Sequence, residues 1–443
     1  MAAPIESRPL HVAIVGGGLC GLALAIALTN RSISYTIYEA RESSSEIGAG
    51  INLAPNSLQA FNLIDPSLGD LIFQIAARNP PGLEDVWVSI RLGAETEKYA
   101  DSKHVMDLMA PPTGNTTVSR NELLQEMARK IPAENAKFNK KITGFTQSEE
   151  EATMTFEDGS METATLVIAC DGAHSAMRRF LLGPNNSAAS AHYSDMGGYR
   201  AVFPMAKHEE AIGKELAHCS QLWCGPSGYI IMYPIDRAQN VNIGVWPWKK
   251  GEWPHEAWVL HHQKAQMLKD FQAWGPATQK LIHMMSDGTQ FWATHHHSVQ
   301  PDSYFNGKVI MIGDAAHSMG PHQGQGAAQS MEDSYVMAQV LRDLNTTTDA
   351  SDRQNHIRAA LTGYETVRRA RYERCLQTSY EAMSFWADFW RPDLNDGDFE
   401  QFRKDAELRM QWMWDARLEE QGEQARAIAR DMLAAGPAAS DAK

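Results

Sequence analysis

Cysteine, basic tracts and unbroken apolar runs are scarce in this chain of 443 residues. The five cysteines are an odd number and lack the spacing of a disulfide framework, which indicates a reducing compartment. Asp and Glu outnumber Lys and Arg by 54 to 40, and the formal net charge of -14 argues against nucleic acid as a partner. Residues 1–10 contain no apolar signal segment, and glycines interrupt the apolar run at 12–28. We therefore expect a cytoplasmic protein without a membrane span.

A glycine-rich turn between two predicted strands is the most informative stretch. Gly16, Gly18 and Gly21 follow a short apolar run and have the spacing G-x-G-x-x-G. Gly16 permits the tight turn, Gly18 lets a pyrophosphate approach the backbone, and Gly21 lets the next helix pack closely on the strand. We therefore predict a dinucleotide-binding βαβ unit with the phosphates at the helix N-terminus.

The second strand of this unit, predicted at Ser34–Tyr38, ends at Glu39. A carboxylate at this position would accept hydrogen bonds from the ribose hydroxyls and would repel a 2′-phosphate, which argues against NADP at this site. The motif by itself leaves both NAD and FAD open.

Two later strand ends carry an acidic residue beside glycine. A buried strand predicted at 165–169 is followed by Asp171, and another at 308–313 is followed by Asp314 and the glycine-rich loop 321–327. Ligands gather at the carboxyl ends of strands in open α/β sheets. These segments therefore indicate that the chain returns to the nucleotide site twice.

Two further segments could contact the same nucleotide. The glycine-rich stretch 48–56, with Gly50 and Asn52, could lie against a flat ligand or be a plain surface loop. Arg120 lies in the first turn of a predicted helix, where a cation opposes the helix dipole and needs an anionic or polar partner. A phosphate, a ribose and a surface salt bridge all remain open for Arg120 from the residues alone.

Residues 186–300 differ from the rest of the chain. Strand-like runs rich in Trp, Tyr and Met predict a mostly antiparallel sheet, one face of which could cover a flat aromatic ligand. An alternating strand near residues 83–99 is assigned to the same sheet, and a helix is predicted over 256–274. The histidines at 295–297 are not predicted to bind metal, because consecutive strand residues point to alternate faces.

The glycine turn, Asp171-Gly172, and Gly313-Asp314 with the loop 321–326 resemble the motifs of class A FAD-dependent aromatic monooxygenases. The resemblance covers essentially residues 10–375 and is closest to the salicylate-hydroxylase-like branch of fungal aromatic and polyketide pathways. It implies an α/β fold: a Rossmann-like FAD-binding domain, an inserted and mostly antiparallel substrate sheet, and C-terminal helices. It also implies FAD as cofactor, with NAD(P)H, O₂ and a small phenol as co-substrates and substrate.

The resemblance divides the chain into segments. The FAD-binding domain takes residues 8–78, 105–185 and 301–354, the substrate domain takes 79–104 and 186–300, and the C-terminal helical region takes 355–443. The Trp- and Met-rich C-terminal helices fit a homodimer or a plain cover for the core, and the sequence leaves both open.

The resemblance also assigns site residues. Thirteen positions are expected to bind FAD: Gly16, Gly18, Gly21, Glu39, Gly50, Asn52, Arg120, Asp171, Asp314, Pro321, Gly324, Gly326 and Ala327. Arg200 and Tyr233, 33 residues apart, resemble a substrate-binding pair of the dearomatising members, so Arg200 is expected to pair with a phenolate and Tyr233 to hydrogen-bond the substrate. An edge ion pair and a core tyrosine are the alternatives. His317 and His322 border the flavin loop, where anchoring hydrogen bonds are favoured over a catalytic base.

The implied reaction is hydroxylation of a substituted phenol or resorcylic-type aromatic through a flavin C4a-hydroperoxide, with oxidative dearomatisation as a variant. Two alternatives remain. One is decarboxylative hydroxylation of a salicylate-like acid, with Arg200 on the carboxylate. The other is a non-catalytic flavin-fold binding protein, against which the intact loop 321–326 argues.

Overall fold

The computed structural model describes residues 9–43, 50–346 and 350–435. Of the predicted glycine-rich stretch, residues 48 and 49 lie outside this range. The strands are β1 His11–Val15, β2 Ser34–Tyr38, β3 Gly50–Leu53, β4 Ala77–Arg78, β5 Val86–Leu92, β6 His104–Met109, β7 Thr116–Ser119, β8 Ala136–Lys137, β9 Ile142–Gln147, β10 Ala152–Phe156, β11 Met161–Ala164, β12 Leu166–Ala169, β13 His192–Pro204, β14 Gln221–Gly225, β15 Gly228–Ile235, β16 Asn240–Pro247, β17 Val259–Leu260, β18 Gln290–His296, β19 Phe305–Asn306 and β20 Val309–Met311. The helices are α1 Leu19–Thr29, α2 Pro55–Ile64, α3 Pro66–Ile75, α4 Arg120–Ala128, α5 Ala176–Leu182, α6 Met205–Ile212, α7 Lys214–Ala217, α8 Lys264–Asp270, α9 Pro276–His283, α10 Asp314–His317, α11 Gly326–Leu341, α12 Ala350–Ala387, α13 Asp396–Trp414 and α14 Leu418–Ala435.

A six-stranded sheet with the order β19-β20-β12-β1-β2-β8 forms the nucleotide-binding part. Its strands run parallel except for β19, and β1 pairs with both β2 and β12. The interior strands are buried on both faces, which explains why they read as continuous apolar runs. Helix α1 connects β1 to β2 and is buried from Leu19 to Leu28, so it is a core helix that packs against α11. The predicted Rossmann-like unit is confirmed.

An eight-stranded sheet with the order β17-β18-β13-β16-β15-β14-β5-β6 forms the second part. All neighbouring pairs are antiparallel except β14 with β5, as the prediction of a mostly antiparallel sheet requires. Strand β6 continues this sheet beyond residue 104, the predicted end of the first insertion. The division into domains otherwise remains a prediction.

The helix predicted over 256–274 is wrong in extent. Residues 259–260 form the edge strand β17, which pairs with Phe291 and Trp292 of β18, and the helix α8 begins only at Lys264. The pairing partner lies about thirty residues away along the chain, so the local pattern that suggested a helix could not reveal it.

The long helix α12 joins the two parts of the molecule. Its Arg368 donates to Asp333 Oδ1 at 2.8 Å and to Glu332 Oε2 at 2.5 Å, and all three side chains are fully buried between α11 and α12. Farther along α12, Trp386 packs with strands of the eight-stranded sheet in one hydrophobic core. The C-terminal helices therefore cover both sheets. No helix in the described part of the chain is both long and apolar enough to cross a membrane.

Candidate active site

A cavity of about 800 Å³ lies between the two large sheets and is bordered by both. The predicted cofactor residues that line it are Gly16, Gly18, Glu39, Gly50, Asn52, Arg120, Asp171, Asp314, Pro321, Gly324, Gly326 and Ala327. The predicted substrate residues Arg200 and Tyr233 line it as well. The fold therefore brings residues from distant segments to one space.

The glycine turn after β1 is open toward this cavity at one position only. A Cβ atom on Gly16, whose φ is +106°, would lie 2.5 Å from the carbonyl oxygen of Cys170. A Cβ atom on Gly18 would have no atom within 4 Å. Gly21 does not border the cavity, and a Cβ there would overlap the backbone of Gly16. Gly21 therefore permits packing, while Gly18 keeps space free for a ligand.

Two helix N-termini face the cavity without a side-chain cap. Helix α1 starts after Gly18 and helix α11 starts after Gln325, and in neither helix does the side chain of the N-cap residue accept a hydrogen bond from the first N–H groups. Uncapped N-terminal N–H groups and the positive end of the helix dipole favour an anion. The cavity can therefore receive an anionic or electron-rich group, such as a pyrophosphate, at each of these two helix N-termini.

Two carboxylates, those of Glu39 and Asp314, border the same cavity and differ in their hydrogen-bond partners. Glu39 Oε2 accepts from Gly17 N at 2.6 Å and Oε1 accepts from Arg41 N at 2.8 Å, so this side chain also fixes the glycine turn. A carboxylate offers about four acceptor positions, which leaves room for ribose hydroxyls. The Asp314 carboxylate has no hydrogen-bond or ion-pair partner among the described residues and is free to bind a polyol.

Asp171 has a structural task of its own. Its Oδ1 accepts from Ser175 Oγ at 2.6 Å and its Oδ2 from Met177 N at 3.0 Å, so it holds the start of α5. Burial raises the pKa of this carboxyl despite these bonds. The predicted role toward FAD stays a prediction for Asp171.

The loop before α11 approaches the cavity through its backbone. Gly324 has a φ of +65°, and a Cβ there would lie 3.4 Å from the Trp87 ring. The Asp314 carboxylate would lie 3.9 Å from a Cβ on Gly326. Together with Glu39 and the open Cβ position of Gly18, these features fit a dinucleotide with two polyol segments and a flat ring system, which is the shape of FAD.

Arg200 lies at the aromatic end of the cavity. Its guanidinium carbon is 5.5 Å from the Trp246 ring centroid and 6.0 Å from that of Trp292. Among the described residues it has no hydrogen-bond or ion-pair partner. Burial lowers its pKa, and the Arg120 guanidinium lowers it further, but arginine stays charged in proteins. The structure thus presents an unpaired cation between two indoles.

Tyr233, which the sequence assigns to the substrate, contacts a residue that the sequence assigns to the cofactor. Its hydroxyl donates to the carbonyl oxygen of Gly50 at 2.8 Å, and the side chain is 7% exposed. Burial raises the pKa of Tyr233 to about 12. Its hydroxyl hydrogen is therefore already used, and only the oxygen remains available to a substrate.

Sequence reasoning missed Tyr229 as a residue of this site. Tyr229 and Tyr233 are four positions apart on β15 and therefore lie on the same face. That spacing was the available signal. The Tyr229 hydroxyl shares a hydrogen bond of 2.5 Å with Nδ1 of His322, which belongs to the flavin loop.

The other histidines of the region have packing partners. His317 Nε2 is 2.6 Å from Asp333 Oδ2, which confirms an anchoring bond for this residue. His296 stacks on Tyr380, and His297 Nδ1 accepts from Ser318 N at 3.1 Å. Among the described residues, no group of His, Cys, Asp or Glu is arranged to hold a metal ion.

One cavity shared by a parallel nucleotide-binding sheet and an antiparallel aromatic sheet is the arrangement of class A flavoprotein hydroxylases. Residues 9–379 match the family described as "FAD binding domain", and the chain belongs to this family. The protein is an FAD-dependent monooxygenase, with FAD as cofactor and NAD(P)H as the reductant typical of the family.

Individual relatives share nearly the whole length of the chain. A 6-methylsalicylate 1-monooxygenase of Aspergillus terreus is 33% identical over 96% of this chain and 94% of its own length. A salicylate hydroxylase of Pseudomonas putida is 31% identical over 94% of this chain and 95% of its own. The solved structure of a salicylate hydroxylase substrate complex superposes with a TM-score of 0.80 at 28% identity, covering 94% of this chain and 98% of that one.

Proposed function

We propose that the protein hydroxylates a substituted phenol or resorcylic-type aromatic, which binds as its phenolate at Arg200. The observation that carries this proposal is the guanidinium between Trp246 and Trp292, which has no anionic partner among the described residues. An unpaired charge in a low-dielectric site is costly, so a bound anion completes the site. The flanking indoles suit a flat aromatic ring.

FAD, when bound, supplies the redox chemistry: it accepts a hydride from NAD(P)H and activates O₂ for transfer of one oxygen atom to the ring. We assign Glu39 to the adenosine ribose and Asp314 to the ribityl chain. The N-terminus of α1 serves the pyrophosphate, and the N-terminus of α11 serves the pyrimidine edge of the flavin. Arg120, Gly50 and Asn52 also line the cavity and contribute to FAD binding.

The chain's own residues prepare the substrate. The positive charge of Arg200 lowers the pKa of a bound phenol and so favours the more nucleophilic phenolate. The oxygen of Tyr233 can accept a hydrogen bond from a second substrate hydroxyl while its own hydrogen stays on Gly50. Trp246, Trp386 and Leu222 line this end of the cavity and exclude water from the reacting ring.

The test uses the purified, FAD-loaded protein and a panel of phenols and benzoates. We expect phenol-stimulated NAD(P)H oxidation with an oxygenated product in nearly equal amount, and Arg200→Ala should retain FAD but lose this coupling. A protein that carries and binds no flavin would refute the proposal. If Arg200→Ala keeps the substrate affinity and coupling of the wild type, Arg200 has no part in the reaction.

A second candidate is decarboxylative hydroxylation of a salicylate-like acid. The names of the two relatives favour it, since both act on salicylates. Arg200 would then pair with the carboxylate. Release of one CO₂ per NAD(P)H consumed would identify this reaction, whereas a hydroxylated or dearomatised product that retains every substrate carbon identifies the first.

A further inference from the structure

A row of four residues crosses the cavity face of the eight-stranded sheet and begins at Arg200. Arg200 on β13 pairs with Gly244 on β16, and Gly244 pairs with Ile231 on β15. Ile231 in turn pairs with Leu222 on β14, and all four residues line the cavity. Neighbouring strands lie about 4.8 Å apart, so the row leads about 14 Å away from the cation. Beyond Gly244 it is aliphatic.

Trp246 lies flat on the sheet beside this row. A Cβ on Gly198 would lie 2.6 Å from Trp246 Cε3, and a Cβ on Gly244 would lie 2.6 Å from Trp246 Nε1, so the indole needs glycine at both positions. The ring of Tyr229 is inclined by 18° to the indole at a centroid distance of 6.2 Å and extends the flat surface. Since the Arg200 guanidinium lies 5.5 Å from the Trp246 centroid, an aromatic ring can rest on the indole with an anionic oxygen at the cation.

The apolar surface continues across the next two strands of the sheet. Strand β14 is followed by β5 and β6, where Val88 pairs with Leu108 and both residues line the cavity. Trp386 of α12 and Met410 of α13 line it as well and belong to the same buried hydrophobic cluster. Within the described ranges, these strands and helices contribute no charged side chain to the cavity wall. The charged lining residues all come from other elements.

A single aromatic ring is too small to cover this surface. A ring held at Arg200 covers Trp246 and leaves Leu222, Val88 and Leu108 facing water. Contact between apolar surface and water is unfavourable, and a ligand gains affinity in proportion to the apolar area that it buries. The cavity therefore suits an aromatic ligand that is anionic at one end and aliphatic at the other.

We propose that the substrate is a phenol that carries an aliphatic substituent of several carbon atoms. The substituent lies in an apolar subsite made of Leu222, Val88, Leu108, Trp386 and Met410. This inference rests on the proposed function, in which Arg200 holds the phenolate oxygen. With the oxygen there and the ring on Trp246, the substituent follows the sheet toward β6.

The test measures the binding of 5-methyl-, 5-propyl- and 5-pentylresorcinol by calorimetry in the absence of NAD(P)H. The protein is loaded with FAD, so that the alkyl chain does not enter empty cofactor space. Each added CH₂ should lower Kd about fourfold until the subsite is full, which is the usual gain for a buried CH₂. Oxidation of the same three compounds with NAD(P)H and O₂ is measured separately, and kcat/KM should follow the same order.

Leu108→Asn and Leu408→Asn form a matched pair of variants. The first places an amide in the subsite, so the gain in affinity from the methyl to the pentyl compound should shrink by at least about tenfold. Leu408 is 69% exposed on α13 and does not line the cavity, so its variant should keep the wild-type dependence on chain length. Leu108→Phe keeps the subsite apolar but reduces its space, and it should weaken the binding of the pentyl compound more than that of the methyl compound. This variant provides the test if Leu108→Asn folds poorly.

Equal Kd values for the three resorcinols would overturn the subsite. A wild-type dependence on chain length in both Leu108 variants would overturn it too, because the alkyl chain would then bind elsewhere. Binding that follows chain length without oxidation of any of the compounds would refute the proposed function and still support the subsite. Oxidation of all three compounds without any gain from the longer chains would support the proposed function and refute the subsite.

Discussion

Tyr233 donates its hydroxyl hydrogen to the carbonyl oxygen of Gly50 at 2.8 Å, and this bond joins the eight-stranded sheet to the small sheet that holds β3. The Gly50 amide in turn donates to Asn242 Oδ1 at 3.1 Å. Both backbone groups of Gly50 are thus held by the substrate sheet. A residue assigned to the cofactor and a residue assigned to the substrate are therefore mechanically linked.

Because of this link, Gly50 is packed so closely that even the methyl group of an alanine does not fit there. A Cβ there would lie 2.5 Å from Ile235 Cγ2 and 2.7 Å from Tyr233 Cε2, so Gly50→Ala must displace both. We expect a loss of about 1–3 kcal/mol in the free energy of unfolding, the usual cost of overpacking, together with weaker FAD binding. Denaturant unfolding and FAD titration measure the two effects.

Gly144→Ala is the matched control for Gly50→Ala. A Cβ on Gly144 would meet no atom within 4 Å, so this substitution should change neither quantity. Equal stability of the two variants would contradict the close contact between β3 and β15.

Gly16 and Gly18 should respond to alanine in different ways. At Gly18 a Cβ meets no protein atom and the φ is -76°, so Gly18→Ala should fold normally yet weaken FAD binding by at least about tenfold, or 1.4 kcal/mol. At Gly16 the φ of +106° and the contact with Cys170 should destabilise the protein itself. Thermal unfolding without added FAD and fluorescence titration with FAD separate the two outcomes. Normal FAD affinity in Gly18→Ala would place the pyrophosphate elsewhere.

Arg200 should contribute to substrate binding and not to the fold. Hydrogen bonds to charged groups contribute about 1.5–3 kcal/mol, so Arg200→Ala should lower kcat/KM for a phenol by about 10- to 100-fold. Arg200→Lys keeps the charge but loses the planar donor fork, so its kcat/KM should lie between those of the wild type and Arg200→Ala. Steady-state kinetics and FAD content are measured together. Loss of FAD in parallel with loss of activity would indicate a role in cofactor binding instead.

The glycine turn of the nucleotide site could be predicted from sequence because it depends on residues that are close together in the chain. A G-x-G-x-x-G turn needs glycine at fixed positions whatever lies elsewhere in the chain, and Gly16, Gly18 and Gly21 each show the close or open space that the spacing predicted. The buried parallel strands are likewise visible as apolar runs.

The substrate side depends on contacts between distant segments. Tyr229 and His322 are 93 residues apart, and no periodicity relates them. The same holds for the bond from Tyr233 to Gly50, which links a tyrosine expected at the substrate to a glycine expected at the cofactor. The edge strand β17 was mistaken for helix because its pairing with β18 outweighs its local preference. Long-range pairing, and not composition, decides these features.

Buried histidines should make the protein sensitive to mild acid. Burial lowers the pKa of His208 and His296 to about 4 and that of His297 to about 2, from 6.5. The unfolded chain therefore binds protons as the pH falls through 6.5, whereas the folded chain does not until the pH reaches these lower values. Each such histidine costs about 1.4 kcal/mol of stability per pH unit in that window. We expect the unfolding midpoint to fall steeply between pH 6.5 and 4.

His208 provides the sharpest test of this pH dependence. Both of its ring nitrogens are buried without a hydrogen-bond partner among the described residues. His208→Gln should therefore reduce the slope of stability against pH by close to one proton, measured by denaturant unfolding at several pH values. The same substitution at the exposed His255 is the control and should change the slope much less. Identical slopes for the two variants would mean that His208 takes up its proton in the folded protein as readily as in the unfolded chain.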